Sequence, residues 1–449
     1  MKKINQIGKW FIGALLIGLG LSSCSEMLDD IRPKDKIPQD QLTESDLGKL
    51  LNGVYAEMEE LVFKFYMDAD VKGENFKAGP GFSLSDPMLM APSSSDVLSK
   101  WQKSFTTLKQ VNFLVENYEA SENKESPFLS QVGGTAYYFR ALIYYNLATR
   151  WGGVPILRKR TYETVPISPE ADVWNFIVED LEKAETLLPA FTDRFYVSES
   201  AADALLAKVH LALKNYDKAA TYADKVISNS NFALATTSEE YANTFVYNTG
   251  SKEIVFALAN KRSTSLLLFY QTVNDIDPTW DYSPATDCYE HLYKDATLKK
   301  GDIRQRAVFN DDESRIIKFP NGAAGQFVVN EQPSQTPIIV ARIADMYLIK
   351  AEALGATGGM ATLKTFMATR YASLQWPSSL SENDFQLQIL DERHREFYAE
   401  GQRWYDLKRT GRLDLFKSLN GRNYLMYFPV PQSEIDLAGE ANYPQNEGY

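Results

Sequence analysis

Histidine is scarce in this chain. His210, His291 and His394 are the only three among 449 residues, and they lie far apart. No HExxH pair exists, so the helical zinc-hydrolase signature is absent. There is also no P-loop, no GxGxxG after a strand and no GxSxG nucleophile elbow. Cysteine is scarcer still, with only Cys24 and Cys288. A thiol enzyme would have to join Cys288 to a remote histidine, and no local pattern suggests it. Positive charge is in deficit: the net charge is −12, a poor match for nucleic acid or an anionic membrane surface. Past residue 23 no apolar run approaches the roughly 20 residues that a spanning helix needs. Carboxylates are abundant, so a loop-based hydrolase with two acids about 5–10 Å apart is the one enzymatic alternative left by counting. The balance turns the reading from catalysis towards binding.

The N-terminus carries a strong local signal. Lys2, Lys3 and Lys9 precede an apolar run of eleven residues, Phe11 to Leu21. That is the length of a signal-peptide core and too short to span a bilayer. It ends in Leu21-Ser22-Ser23-Cys24, which resembles a bacterial lipobox. Residues 1–23 are therefore expected to be a signal peptide and Cys24 a lipidated residue, anchored by more than one acyl chain. Cleavage removes three lysines and no acid, taking the net charge from −12 to −15. With Cys24 acylated, Cys288 has no partner for an intramolecular disulfide. Residues 24–42, with Pro33 and Pro38, read as a tether.

Beyond it the pattern is mainly α-helical. Thr43 and Asp46 form an acidic capping box, and apolar residues follow at steps of three and four through Leu47, Val54, Met58 and Leu61. Further helices carry Trp101 to Tyr118, Val132 to Leu147 (ending at Gly152-Gly153) and Asp172 to Leu188. Trp101, Trp376 and Trp404 read as core. Residues 199–228 hold two helices rich in small residues around a turn at Lys214-Asn215, a pattern similar to a tetratricopeptide pair. The expected architecture is a tetratricopeptide-like helical-repeat scaffold over about 43–230 and 338–417. An irregular, loop-rich part with a few short strands fills about 231–337. Within it Ile254 to Leu258 reads as a buried strand.

The later part of the chain carries the most distinctive motifs. Ala341 to Ala353 reads as a helix. Asp391-Glu392-Arg393-His394-Arg395-Glu396-Phe397 and Glu400-Gly401-Gln402-Arg403-Trp404-Tyr405-Asp406 follow. Phe428-Pro429-Val430-Pro431-Gln432 and Gln445-Asn446-Glu447-Gly448-Tyr449 come last. With Tyr138-Phe139-Arg140-Ala141-Leu142 and Trp151-Gly152-Gly153-Val154-Pro155, they closely resemble the SusD/RagB family of outer-membrane nutrient-binding lipoproteins. The resemblance spans nearly the whole chain. It implies four tetratricopeptide-like helix pairs, a single domain over 43–449, and a ligand site in a variable part. It also implies work as a lid over a SusC-like TonB-dependent transporter in the outer membrane, handing over glycans or, in some members, peptides. Glu26, Asp29 and Asp30 then look like an export signal to the cell exterior. The charges at Arg393, Glu396, Glu400, Arg403 and Asp406 fall at helical spacing on one helix and its continuation. They read as structural pairs or a packed network, not as a ligand site.

An oligosaccharide site needs flat aromatics flanked by hydrogen-bonding groups, because an unpaired buried polar group costs about 1–3 kcal/mol. Two loop regions have that composition: 270–293, with Trp280, Tyr282, Asp277, Asp281 and Tyr289, and 66–82, with Asp68, Asp70, Asn75 and Phe76. The expected function is capture of oligosaccharides, without cofactor or metal; three aspartates lacking a turn glycine are too little for calcium. A peptide-binding member of the same family and a helical scaffold with no ligand of its own are the alternatives.

Overall fold

The computed structural model describes residues 42–80, 88–246, 250–260, 282–285, 299–310, 314–319, 336–375 and 379–449. Cys24, the signal and tether segments and Trp376 lie outside the described residues. By internal contacts the chain divides into residues 1–47 and 48–449. In the first unit the capping box forms as expected. The Asp46 N–H donates to Thr43 Oγ1 at 3.3 Å, and the Thr43 N–H donates to Asp46 Oδ2 at 3.2 Å. Helix α1, Glu44–Lys72, starts there.

The second unit is built mainly of helices laid side by side. In chain order come α2 (Ser95–Ala120), α3 (Pro127–Trp151), α4 (Glu170–Leu187), α5 (Glu199–Ala212) and α6 (Tyr216–Ile227). Each packs on the next, and α3 is enclosed between α2 and α4. From Val132 to Trp151 nearly every α3 residue is buried, which explains why this helix lacks an amphipathic pattern. Gly133 makes the approach to α2 possible, since a Cβ there would meet the Tyr118 ring at 2.5 Å. The α5–α6 turn falls at the expected place, with Lys214 at φ 59°. Small residues then bring the two helices together: Ala204 and Ala207 of α5 share one core cluster with Ala219 and Ala223 of α6.

That cluster also contains Ile343, Met346 and Ile349 of α9, Ile343–Arg370. So α6 meets a helix more than a hundred residues further along the chain. Between them lie the short helices α7 (Ser238–Asn243) and α8 (Gln305–Val308). Helix α9 packs in turn on α10, Glu382–Glu396, through a second cluster that includes Leu363, Phe366, Phe385 and Ile389. The last helices are α11 (Arg403–Arg409) and α12 (Gln432–Ala438).

Among the described residues, the strands form four two-stranded antiparallel sheets. They pair β1 (Phe76–Ala78) with β5 (Tyr282–Pro284), β2 (Val154–Pro155) with β3 (Ile167–Ser168), β4 (Ile254–Leu258) with β7 (Ile338–Arg342), and β6 (Lys299–Asp302) with β8 (Tyr371–Leu374). Strand β4 is buried throughout, as its continuous apolar run predicts.

Three local expectations are corrected. Ala341 and Arg342 end β7 instead of opening a helix; pairing with β4 holds them extended, and the Ile343 N–H donates to Glu253 O at 2.8 Å. The helix running from Arg393 does not continue to Asp406. It stops at Glu396, and left-handed residues Ala399 (φ 64°) and Gly401 (φ 73°) turn the chain before α11. Asp68 and Asp70 belong to the last turns of α1 and not to a loop.

The motifs at 151–155, 428–432 and 445–449 form one junction. Trp151 Nε1 donates to Pro429 O at 2.9 Å. The Gln445 side chain holds both backbone groups of Val430, at 2.7 and 2.9 Å, while Asn446 donates to Trp151 O and Phe428 O. An extended proline-flanked segment cannot satisfy itself, so these amides replace the missing ladder. Trp101 and Trp404 are buried, as expected.

Candidate functional site

The foundation of the site is a cluster of buried charges. Glu396, at the end of α10, accepts from Arg304 Nη1 (3.2 Å), Arg342 Nη1 (2.7 Å) and Arg370 Nε (2.9 Å). Arg342 reaches on to Glu253 and Glu400, Arg370 to Glu253, and Arg304 to Asp302 and Glu392. Burial alone would raise the Glu396 carboxyl, but the Arg370, Arg342 and Arg304 guanidiniums hold it well below the usual carboxylate range. Lys318 lies in the same cluster. Its ammonium donates to Glu396 O, Tyr398 O and Glu400 Oε1 at 2.9, 2.8 and 2.6 Å. A second group surrounds Arg393, which binds Asp345 at 2.7 Å and Asp406 at 2.8 Å, with Arg409 linking Asp406 to Glu352. These charges join separate elements, so the network reading holds and the pairing runs mostly between elements, not along one helix.

On this base stands a chain of polar contacts reaching β1. Gly401 N–H donates to Asp70 Oδ2 at 2.5 Å, Asn75 Nδ2 donates to Asp70 Oδ1 at 2.7 Å, and Asn75 Oδ1 lies 2.7 Å from His394 Nε2. The Asn75 carbonyl accepts from the Tyr398 hydroxyl at 2.7 Å and from the Ala285 N–H at 2.9 Å. Asp70 is fully buried, and burial pushes its carboxyl up to about 7 against the pull of Gly401 N–H, Asn75 and Lys318. Asp70 and Asn75 are therefore beneath the surface, bound to the protein's own groups.

Above them the two candidate loop regions meet. Strand β1 comes from 66–82 and β5 from 270–293, and they pair in the register Phe76↔Pro284, Lys77↔Ser283, Ala78↔Tyr282. The Phe76 and Tyr282 rings lie 5.4 Å apart, tilted at 39°. Phe76 is buried and rests edge-on against Tyr398 at 6.0 Å, whereas Tyr282 is only half-buried. The result is an aromatic cluster of Tyr398, Phe76 and Tyr282, held at its base by the Asn75 contacts, with Tyr282 half-buried. Trp280, Asp277, Asp281 and Tyr289 lie outside the described residues; Trp280 and Asp281 directly precede Tyr282 in the chain. His394 and Tyr398, which fix the cluster, were not among the expected site residues. His394 lies within the Asp391–Phe397 motif, whose charges read as structural, and Tyr398 directly follows that motif. Among the described residues, no group of three His, Cys, Asp or Glu could hold a metal ion, and no helix is long and apolar enough to cross a membrane.

Comparison with known proteins identifies the architecture. Residues 26–211 match a family model described as "Starch-binding associating with outer membrane", and residues 252–449 match the SusD family model. The chain belongs to the SusD/RagB family. SusD-like protein P38 of Formosa agariphila is 25% identical, over 94% of this chain and 95% of that protein. Starch-binding protein SusD of Bacteroides thetaiotaomicron is 32% identical over 151 residues, 31% of this chain and 26% of the relative. A SusD superfamily protein of Bacteroides vulgatus superposes with a TM-score of 0.74 at 23% identity, covering 91% of this chain and 99% of the other. As a SusD-like protein, the chain falls among non-catalytic, glycan-binding proteins associated with the outer membrane.

Proposed function

We propose that this SusD-like protein captures oligosaccharides at the cell surface and passes them to a SusC-like TonB-dependent transporter. Its anchor would be lipid on Cys24. The observation that carries the reading is the β1–β5 pairing, which joins both sugar-compatible loop regions around the Phe76–Tyr282 pair. A pyranose offers a weakly apolar C–H face, which suits a rigid aromatic, while its hydroxyls need nearby donors and acceptors. Trp280 and Asp281 adjoin Tyr282 in sequence, and with Asp277 and Tyr289 they make up the proposed contact set. Asp70 and Asn75 contribute indirectly, by holding β1. The mechanism is non-covalent: stacking and hydrogen bonds retain the chain while the transporter opens and closes.

The test is native affinity electrophoresis through gels containing soluble starch, pullulan, laminarin, arabinoxylan or mucin glycans. Wild type is compared with Trp280→Ala and Tyr282→Ala. Retardation by one glycan, lost in either variant, is the expected result. Retardation that survives both variants would move the site elsewhere. No retardation across the panel would turn the reading towards peptides or a scaffold without a ligand.

A further inference from the structure

A second cleft lies away from the β1–β5 pair and shares no residue with it. Its floor is aromatic: Trp101 and Phe105 of α2 lie 5.0 Å apart, and Tyr443 meets Trp101 edge-on at 6.1 Å. One wall is the segment between β2 and β3, which carries Tyr162; the other is α12, which carries Leu437. The cleft encloses about 440 Å3, and a neighbouring hollow of about 350 Å3 shares Lys109, Thr161 and Tyr162 with it. Each falls within the range of small-ligand sites, about 300–1,000 Å3.

Two exposures at the rim need a reason. Tyr162 is completely exposed, and Leu437 is 82% exposed. Isolated exposed apolar residues are common, but these two flank a cleft already floored by aromatic rings. The polar lining indicates the kind of ligand. Lys109, Glu163 and Glu434 bring charges of both signs, and Glu434 already accepts from Gln102 at 3.0 Å. In the neighbouring hollow Arg160 and Glu116 bind each other through two guanidinium nitrogens at 2.8 and 2.9 Å. No single sign of charge dominates, so a neutral ligand suits the cleft better than an ion. Thr106, Thr161 and Thr164 supply hydroxyls that both donate and accept, as a polyol requires.

We infer that this cleft is a second oligosaccharide site, with the Tyr162 ring as its stacking surface. The inference rests on the glycan-binding reading above and adds a second, separate point of contact for a longer chain.

Hydroxyl-radical footprinting of the full chain in detergent, with the same five polysaccharides, tests it residue by residue. A retarding glycan should lower labelling of Tyr162 severalfold. Tyr162→Ala should weaken retardation roughly three- to tenfold, the size of one lost stacking contact. Because this side chain is wholly exposed, the variant should keep the wild-type unfolding midpoint. Retardation with Tyr162 labelling unchanged, and with Tyr162→Ala binding as wild type, would overturn the second site and leave the first intact. Undiminished glycan retention by Tyr162→Ala, with loss of co-purification with the transporter, would instead make the cleft a protein-docking surface and also overturn the inference. Absence of retardation by all five would overturn both readings together.

Discussion

Position 396 shows how much a single carboxylate can organise. Glu396 receives Arg304, Arg342 and Arg370, all buried, and removing its charge takes from all three guanidiniums the one carboxylate they share, leaving them only their other partners. Glu396→Gln is expected to cost about 3–5 kcal/mol, the range for breaking a buried ion pair. Urea unfolding monitored by circular dichroism measures it; a midpoint equal to wild type would show that the cluster reorganises without cost. Asp345 sets an acid limit. Burial favours its protonated form, but Lys208 at 3.2 Å and Arg393 at 2.7 Å outweigh this and lower its carboxyl from 3.8 to about 2. A depressed acid stabilises the fold fully above its ordinary pKa, and that contribution is lost as pH falls from 3.8 through 2. Thermal midpoints should therefore drop across that window, and the Asp345→Asn variant should show a shallower drop. Equal slopes in the two proteins would contradict the assignment.

At the scale of elements, the turn between α10 and α11 decides where the candidate site stands. Gly401 has φ 73°, and a Cβ on it would lie 2.6 Å from the Tyr66 carbonyl oxygen. Its N–H also holds Asp70. Gly401→Ala should destabilise the protein by about 1–3 kcal/mol from backbone strain alone. Displacement of Asp70 and Asn75 would add loosening of β1. A lowered thermal midpoint together with faster proteolytic cleavage near residue 76 is the expected pair of results; an unchanged cleavage rate would separate Gly401 from the β1 support. Helix positions were legible from sequence because their signals are local: the Thr43 cap, the stop at Gly152, the Lys214-Asn215 turn. The end of α10 was not. Arg393, Glu396, Glu400, Arg403 and Asp406 keep helical spacing across a break, since charges bridging different elements can imitate a single helical face.

For the whole molecule, the expected consequence of the N-terminal signal is membrane attachment through Cys24. Cys24→Ser should abolish incorporation of labelled fatty acid and move the protein from the membrane fraction to the soluble one. Persistence in the membrane fraction after salt washing would point to attachment through other residues. Family membership also became readable at this scale, because its motifs serve one another across the chain. Gln445 and Asn446 are needed where Val430, Phe428 and Trp151 have backbone groups to satisfy, so the three motifs at 151, 428 and 445 form a single structural device.

Sequence alone determined the helical character of the chain, the absence of familiar catalytic motifs and the family. Each of these depends on residues close together or on motifs in a fixed order. It also marked 66–82 and 270–293 as compatible with sugar, since composition is a local property. Only tertiary structure decided that these two regions pair, that Asp70 and Asn75 are buried supports, and that Trp101, Phe105, Tyr162 and Tyr443 surround one cleft. The reason is physical: an aromatic or carboxylate has the same local signature whether it faces solvent or packs beneath a strand. What separates the two cases is burial and hydrogen bonding by residues hundreds of positions away, as His394 and Gly401 act on Asn75 and Asp70.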